Sequence, residues 1–150
     1  MDLKTRLQKE LKEAMRARDE RRKQTLRMLL SAIKLAEVEK GAPLSEGEIL
    51  NVVRREVKSR KETLEIARES GRDDIVQEVQ EEIAILEAFL PPALRPEELD
   101  AIIEEAIQKV GATSIKDMGR VMKEVMARVQ GRAEGGEVSR RVKERLTALG

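Results

Sequence analysis

Three observations predict an all-α fold for this 150-residue chain. Apolar residues recur every three or four positions almost from end to end, as one face of a helix requires. Glycines, prolines and capping hydroxyls punctuate these runs at helix-length intervals. No segment alternates apolar and polar residues as a half-buried strand would. The expected arrangement is an N-terminal four-helix part, built as long hairpins or a bundle, followed by a compact C-terminal three-helix domain.

The elements follow in order. Leu3, Leu7, Leu11, Ala14 and Met15 mark one face of a first helix, and Leu26, Leu29, Leu30, Ile33 and Ala36 repeat the pattern before Gly41-Ala42-Pro43 breaks it. Ser45 offers an N-cap with Glu48 as its capping-box partner, and Ile49, Val53, Val57 and Leu64 carry a third helix towards Ser70-Gly71. Asp73 or Asp74 opens a fourth, with Ile75, Val79, Ile83, Leu86 and Leu90 on its face. Pro91-Pro92 then forces extended backbone. Pro96 suits the first turn of a fifth helix, Glu97 and Glu98 favour its dipole, and Gly111 ends it. Thr113 or Ser114 caps a sixth helix, striped by Ile115, Met118, Val121, Met122, Val125, Met126 and Val129 and ended by Gly131. Val138, Val142, Leu146 and Leu149 mark the seventh. These boundaries give an N-terminal helical domain over 1–90, a Pro-rich linker over 91–96 and a three-helix domain over 97–150.

Composition excludes much chemistry. The chain has no His, Cys, Trp or Tyr and a single aromatic, Phe89. His/Cys zinc sites, Ser-His-Asp or Cys-His nucleophiles and disulfides are therefore ruled out, as is an aromatic platform for single-stranded bases. No run approaches the ~18 apolar residues of a membrane span, and the charged N-terminus lacks a signal peptide's apolar region. A soluble, cytoplasmic protein without membrane contact is expected. The abundance of Arg and Glu resembles thermophile composition.

Lys and Arg number 30 against 29 Asp and Glu, but the charge is segregated. Residues 1–61 carry 17 basic and 10 acidic side chains, a net of +7, and residues 62–90 carry 2 and 9, a net of −7. Residues 91–115 carry 2 and 5, a net of −3, and residues 116–150 carry 9 and 5, a net of +4. Either basic and acidic helices neutralise one another, or a basic face meets an anionic polymer.

Glu78, Glu81 and Glu82, with Asp73 and Asp74 before them, form the densest acidic group, but the histidines of a di-iron bundle and the spacing of a calcium loop are both missing. Ser31, Ser59 and Ser139 stand near basic residues without a hydrolase motif, and no phosphate-binding glycine loop occurs. No metal, cofactor or catalytic residue is expected. Two basic sets remain. Arg16, Arg18, Arg21, Arg22, Lys23 and Arg27 crowd the first helix junction, while Arg54, Lys58 and Lys61 share a face of the third helix.

The most specific feature is C-terminal: Gly111-Ala112-Thr113-Ser114, Asp117-Met118-Gly119-Arg120-Val121-Met122 and Val129-Gln130-Gly131-Arg132-Ala133-Glu134-Gly135. These motifs resemble the YqeY family and the YqeY-like tail of GatB, a subunit of the glutamine-dependent tRNA amidotransferase. Glu134 departs from the family pattern, which has Asp there, and predicts a weaker cap on the last helix. Arg27-Met28 and Leu86-Glu87-Ala88-Phe89-Leu90-Pro91 extend the resemblance over essentially the whole chain. It implies a non-catalytic accessory module for tRNA or other structured RNA, within a family labelled as carbon–nitrogen ligases using glutamine as amide donor. The alternative is a helical adaptor for a protein partner in the amidotransferase or synthetase machinery.

Read physically, the motif predicts Gly119 inside a helix, close against the helix carrying Ile103 and Val110, and Gly131 at positive φ. Arg128 and Arg132 are expected beside the open N-terminus of the last helix, where free N–H groups favour anions, with Gly135-Gly136 leaving the approach unobstructed. Lys116, Arg120, Lys123, Arg128, Arg132, Arg140 and Arg141 form the resulting phosphate-binding candidate. Gly111, Met118, Gly119, Gly131 and Gly135 are its structural residues.

Overall fold

Helix caps set the architecture of the N-terminal half in the computed structural model, which describes residues Met1–Gly150. Asp2 accepts from the Thr5 N–H and starts α1 (Leu3–Arg16), and Asp19 accepts from the Arg22 N–H and starts α2 (Glu20–Lys40). Ser45 and Glu48 form the expected reciprocal capping box on α3 (Glu46–Glu69). The Glu48 carboxylate is pulled down to about 2 by the Lys40 ammonium at 2.6 Å and the Ser45 N–H at 3.0 Å. Gly41 at φ 75° and Gly71 at φ 67° supply the left-handed turns that reverse the chain after α2 and α3. The fourth helix, α4 (Asp73–Glu87), has Arg72 at its N-cap with no side-chain bond, so Asp73 and Asp74 lie inside its first turn and act on its dipole. It ends before Leu90, because Ala88–Leu90 tighten into a turn ahead of Pro91, with Phe89 N–H to Leu86 O at 3.1 Å.

The fold is all-α: seven α-helices and one 3₁₀ turn, with no strand. The chain divides into two compact units, Met1–Leu90 and Pro91–Gly150. In the first, Leu7, Leu26, Leu29, Ile33, Val53 and Leu86 are fully enclosed, with Phe89 at the edge of the same core. Met15 was expected on the apolar face of α1 and is instead 46% exposed.

One buried charge organises this unit. Arg60 of α3 is only 8% exposed, the most enclosed charged residue in the protein. Its Nε donates to Glu82 of α4 at 3.0 Å, and its remaining nitrogens reach Glu56 at 3.2 Å and the Met28 sulfur at 3.9 Å. Arg21 of α2 approaches Glu78 and Glu81 at 3.6 and 3.9 Å. The acidic face of α4 is thus met by cations from two neighbouring helices. At the other end, Glu37 ties Lys4 (2.7 Å) to the Leu44 N–H (3.0 Å), and both contacts lower its pKa.

In the second unit, residues 91–95 begin the packed structure instead of standing apart as a linker. The Leu94 N–H donates to Arg132 O at 2.8 Å and Arg132 Nε donates to Pro92 O at 3.0 Å. Three helices follow: α5 (Pro96–Val110), α6 (Met118–Val129) and α7 (Gly135–Leu149). They enclose Leu99, Ile103, Val121, Val125, Val129, Val138, Val142 and Leu146. The sixth helix was expected to start at Ile115. Instead a 3₁₀ turn, Ile115–Asp117, capped by Ser114, precedes it.

Truncating Arg60 tests the buried charge. Arg60→Ala should cost about 1.5–3 kcal/mol in urea unfolding, the scale of a hydrogen bond to a charged group. Arg60→Lys should recover little of the loss, because an ammonium lacks the fork that spans Glu56 and Glu82.

Candidate nucleic-acid interface

Most of the predicted phosphate-binding arginines are engaged inside the second unit. Arg128 of α6 is held by Glu105 (2.9 Å) and Glu124 (3.0 Å), and Arg141 of α7 by Asp100 (3.0 Å) and Glu137 (3.3 Å). Both are less than one third exposed. Arg145 pairs with Glu104, and Lys109 reaches Glu124 at 2.9 Å. Acidic α5 is therefore neutralised from α6 on one flank and α7 on the other. Arg132 is half-buried on the Pro92 carbonyl. Arg140 pairs with Glu144 at 3.1 Å, but both side chains are more than half exposed, where such a pair contributes about 0–1 kcal/mol.

The expected anion site at the start of α7 is occupied by the protein itself. Glu134 accepts from the N–H groups of Gly136 (3.0 Å) and Glu137 (3.1 Å), one with each carboxylate oxygen. The longer arm of Glu spans two donors, so the departure from Asp leaves a working cap and not a weak one. Gly135 has nothing within 4 Å of a notional Cβ, whereas at Gly136 that atom would meet the Glu134 carboxylate at 3.0 Å.

What the structure does bring together is smaller. Lys116, Arg120 and Lys123 follow one another at helical spacing along the 3₁₀ turn and α6, and all three are exposed. Neither lysine has a partner in the protein. Arg120 donates to Asp117 (2.6 Å) and to the Val110 carbonyl (3.0 Å), using two of its five N–H groups. Beside this stripe lies Gly119. The expected close approach of α5 is absent: Gly119 is in the first turn of α6, exposed, and a Cβ there would meet nothing within 4 Å. Met118, next to it, packs against the core. Gly111 closes α5 at φ 68°, and buried Gly131 follows Gln130 in a double left-handed step, at φ 75° and 49°.

Asp117 holds the junction. Its carboxylate is drawn down to about 2, first by the Thr113 N–H (2.8 Å), then by Arg120 and the Ser114 N–H (3.2 Å). On α3, Lys58 and Lys61 are exposed and unpaired, whereas Arg54 has contacts of its own. Acidic Glu62 and Glu65 share the surface beyond them. The ion pairs from α7 to α5 were not identified residue by residue from sequence. The signal was present in the acidic block 91–115 preceding the basic block 116–150, but the pairing depends on helix packing.

Seven helices in two units, with an exposed basic stripe on the second, define an all-α protein. The profile of the Yqey-like protein family matches residues 4–146, and the chain belongs to that family. It is also similar to fungal proteins named "Altered inheritance of mitochondria protein 41, mitochondrial". The one from Eremothecium gossypii is 32% identical over 110 residues, 71% of this chain and 60% of the relative. That from Kluyveromyces lactis is 36% identical over 105 residues, 67% of this chain and 56% of the relative. That from Pyrenophora tritici-repentis is 26% identical over 142 residues, 93% and 78% respectively. The chain spans about three-fifths of the length of the Eremothecium relative. These relatives overturn the cytoplasmic expectation, since their names place them in mitochondria. The absence of an apolar span bears on membrane crossing and cannot distinguish one aqueous compartment from another. No helix here is long and apolar enough to cross a membrane.

Two substitutions probe the stripe's own structure. Gly119→Ala should raise the thermal midpoint, by up to about 1 kcal/mol of helix propensity, because nothing obstructs the methyl group. Asp117→Asn should lower stability at neutral pH. Because the folded pKa lies below the ordinary 3.8, this contribution is complete above that value and disappears as pH falls towards 2. The difference in thermal midpoint between wild type and Asp117→Asn should therefore shrink over that window.

Proposed function

We propose that this protein is a non-catalytic accessory module that binds structured RNA, tRNA first among the candidates, through backbone phosphates. The observation that supports this reading is the exposed stripe Lys116–Arg120–Lys123 beside Gly119. The two lysines have no partner inside the protein, and Arg120 keeps free donors. Gly119 weakens its helix without serving packing, and bare backbone of this kind suits close approach of a ligand. The family resemblance to the tail of GatB supplies the tRNA class and the link to amidotransferase machinery. Arg128, Arg132 and Arg141 then hold the unit together, and Arg140 is a peripheral contact.

Filter binding of tRNA across a salt series tests this reading. Three phosphate contacts predict a log K against log salt slope near −2.7 on duplex, at about −0.9 per contact. Replacing Lys116, Arg120 and Lys123 together with Ala should flatten that slope and weaken binding. Gly119→Ala should weaken binding while leaving the fold more stable. Affinity no better than that of a neutral control protein, or a slope unchanged in the triple variant, would overturn the proposal.

A further inference from the structure

The second observation lies in the first unit and is independent of the RNA reading. Nearly every α2 cation near a carboxylate is paired: Arg21 with Glu78 and Glu81, Arg22 with Glu10, Lys23 with Glu20, and Lys40 with Glu48. Arg27 and Lys34 are the exceptions, with no partner in the protein. They share the solvent face of the helix with Met28, Leu35 and Val38, which are 57%, 60% and 70% exposed. Three large apolar side chains on one face of one helix are unusual for a surface meant only for water.

Their spacing is ordered. Met28, Ser31, Leu35 and Val38 step by three, four and three, the a/d alternation of two heptads. In that register Arg27 and Lys34 occupy successive g positions, which in coiled coils carry the charges that select a partner. The side opposite the seam, Leu26, Leu29 and Ile33, is already buried in the unit's core. On the e side, Thr25 and Ala32 also pack inward, and Glu39 lies beyond them at the end of the helix. On α3, Arg60 lies against the Met28 sulfur, and it is balanced by Glu56 and Glu82. Along the two heptads of the seam the g flank carries Arg27 and Lys34, and Glu20, one heptad earlier in the same register, is taken by Lys23.

We infer that the solvent face of α2 is a docking seam for one amphipathic helix of a partner protein, with an apolar a/d stripe flanked by Asp or Glu. The apolar residues bury against that stripe, and the two unpaired cations choose an acidic flank. A phosphate backbone fits less well, because it offers nothing to cover Met28, Leu35 and Val38.

Fluorescence anisotropy on the full chain tests this. The probe is a labelled designed helix of three heptads, with Leu at a and d and Glu at the flanking e and g positions. The control peptide carries Lys at those flanks. The acidic peptide should bind and the basic one should not. Arg27→Glu with Lys34→Glu should weaken the acidic peptide at least about tenfold, through like-charge juxtaposition, and transfer the preference to the basic peptide. Leu35→Asp should abolish binding of the acidic peptide, with helix content and the thermal midpoint unchanged because the site is exposed. Failure of the acidic peptide to bind, equal binding of both, or no switch in the double reversal would overturn the inference. So would displacement by tRNA, preferential binding of this face to anionic lipid vesicles, or self-association of the chain lost in Leu35→Asp. None of these results bears on the Lys116–Arg120–Lys123 stripe.

Discussion

Charge neutralisation between neighbouring helices is the constraint on which both units depend. In the first, Arg60 sits almost wholly out of solvent, and its position is tolerable only because Glu56 and Glu82 converge on it. Such a pair adds little net stability over an apolar alternative, since desolvation opposes the attraction. It does fix geometry, because a guanidinium bonded to two helices and touching a third resists sliding of any of them. The second unit repeats the device at its surface. There α5 carries Asp100, Glu104 and Glu105, and α6 and α7 supply Arg128, Arg141 and Arg145.

This arrangement also decides which cations remain for function. A chain with 30 basic residues looks rich in phosphate-binding groups. Once the neighbours are in place, many of those groups are satisfied, and among the cations left over two sets stand beside a distinctive surface. Lys116 and Lys123 flank Arg120 on one unit, while Arg27 and Lys34 flank an apolar stripe on the other. The two surfaces differ in kind. The first is polar with exposed backbone at Gly119, and the second is half apolar, which suits phosphate in one case and a helix in the other.

Much of the local structure was legible in the sequence. The Ser45–Glu48 box, the Gly41, Gly71 and Gly111 reversals and Pro96 at the start of α5 all act within a turn of backbone, so the residues that cause them are near neighbours. Gly119 shows the limit of such reading. A glycine in a helix suggested close packing, but whether another helix comes near is a property of the assembled unit, and none does. Glu134 shows the same limit at short range, since its reach to two N–H groups depends on the rotamer the turn allows.

The sequence by itself determined the all-α class, the seven helices and the family, because periodicity, caps and motif spacing are encoded along the chain. Tertiary structure alone decided which charges are spent on one another. Helices α5 and α7 meet across some forty residues of sequence through Asp100–Arg141 and Glu104–Arg145. Pairings at that separation depend on how amphipathic faces rotate to close a core. The cations available to a partner are those that this rotation leaves facing water.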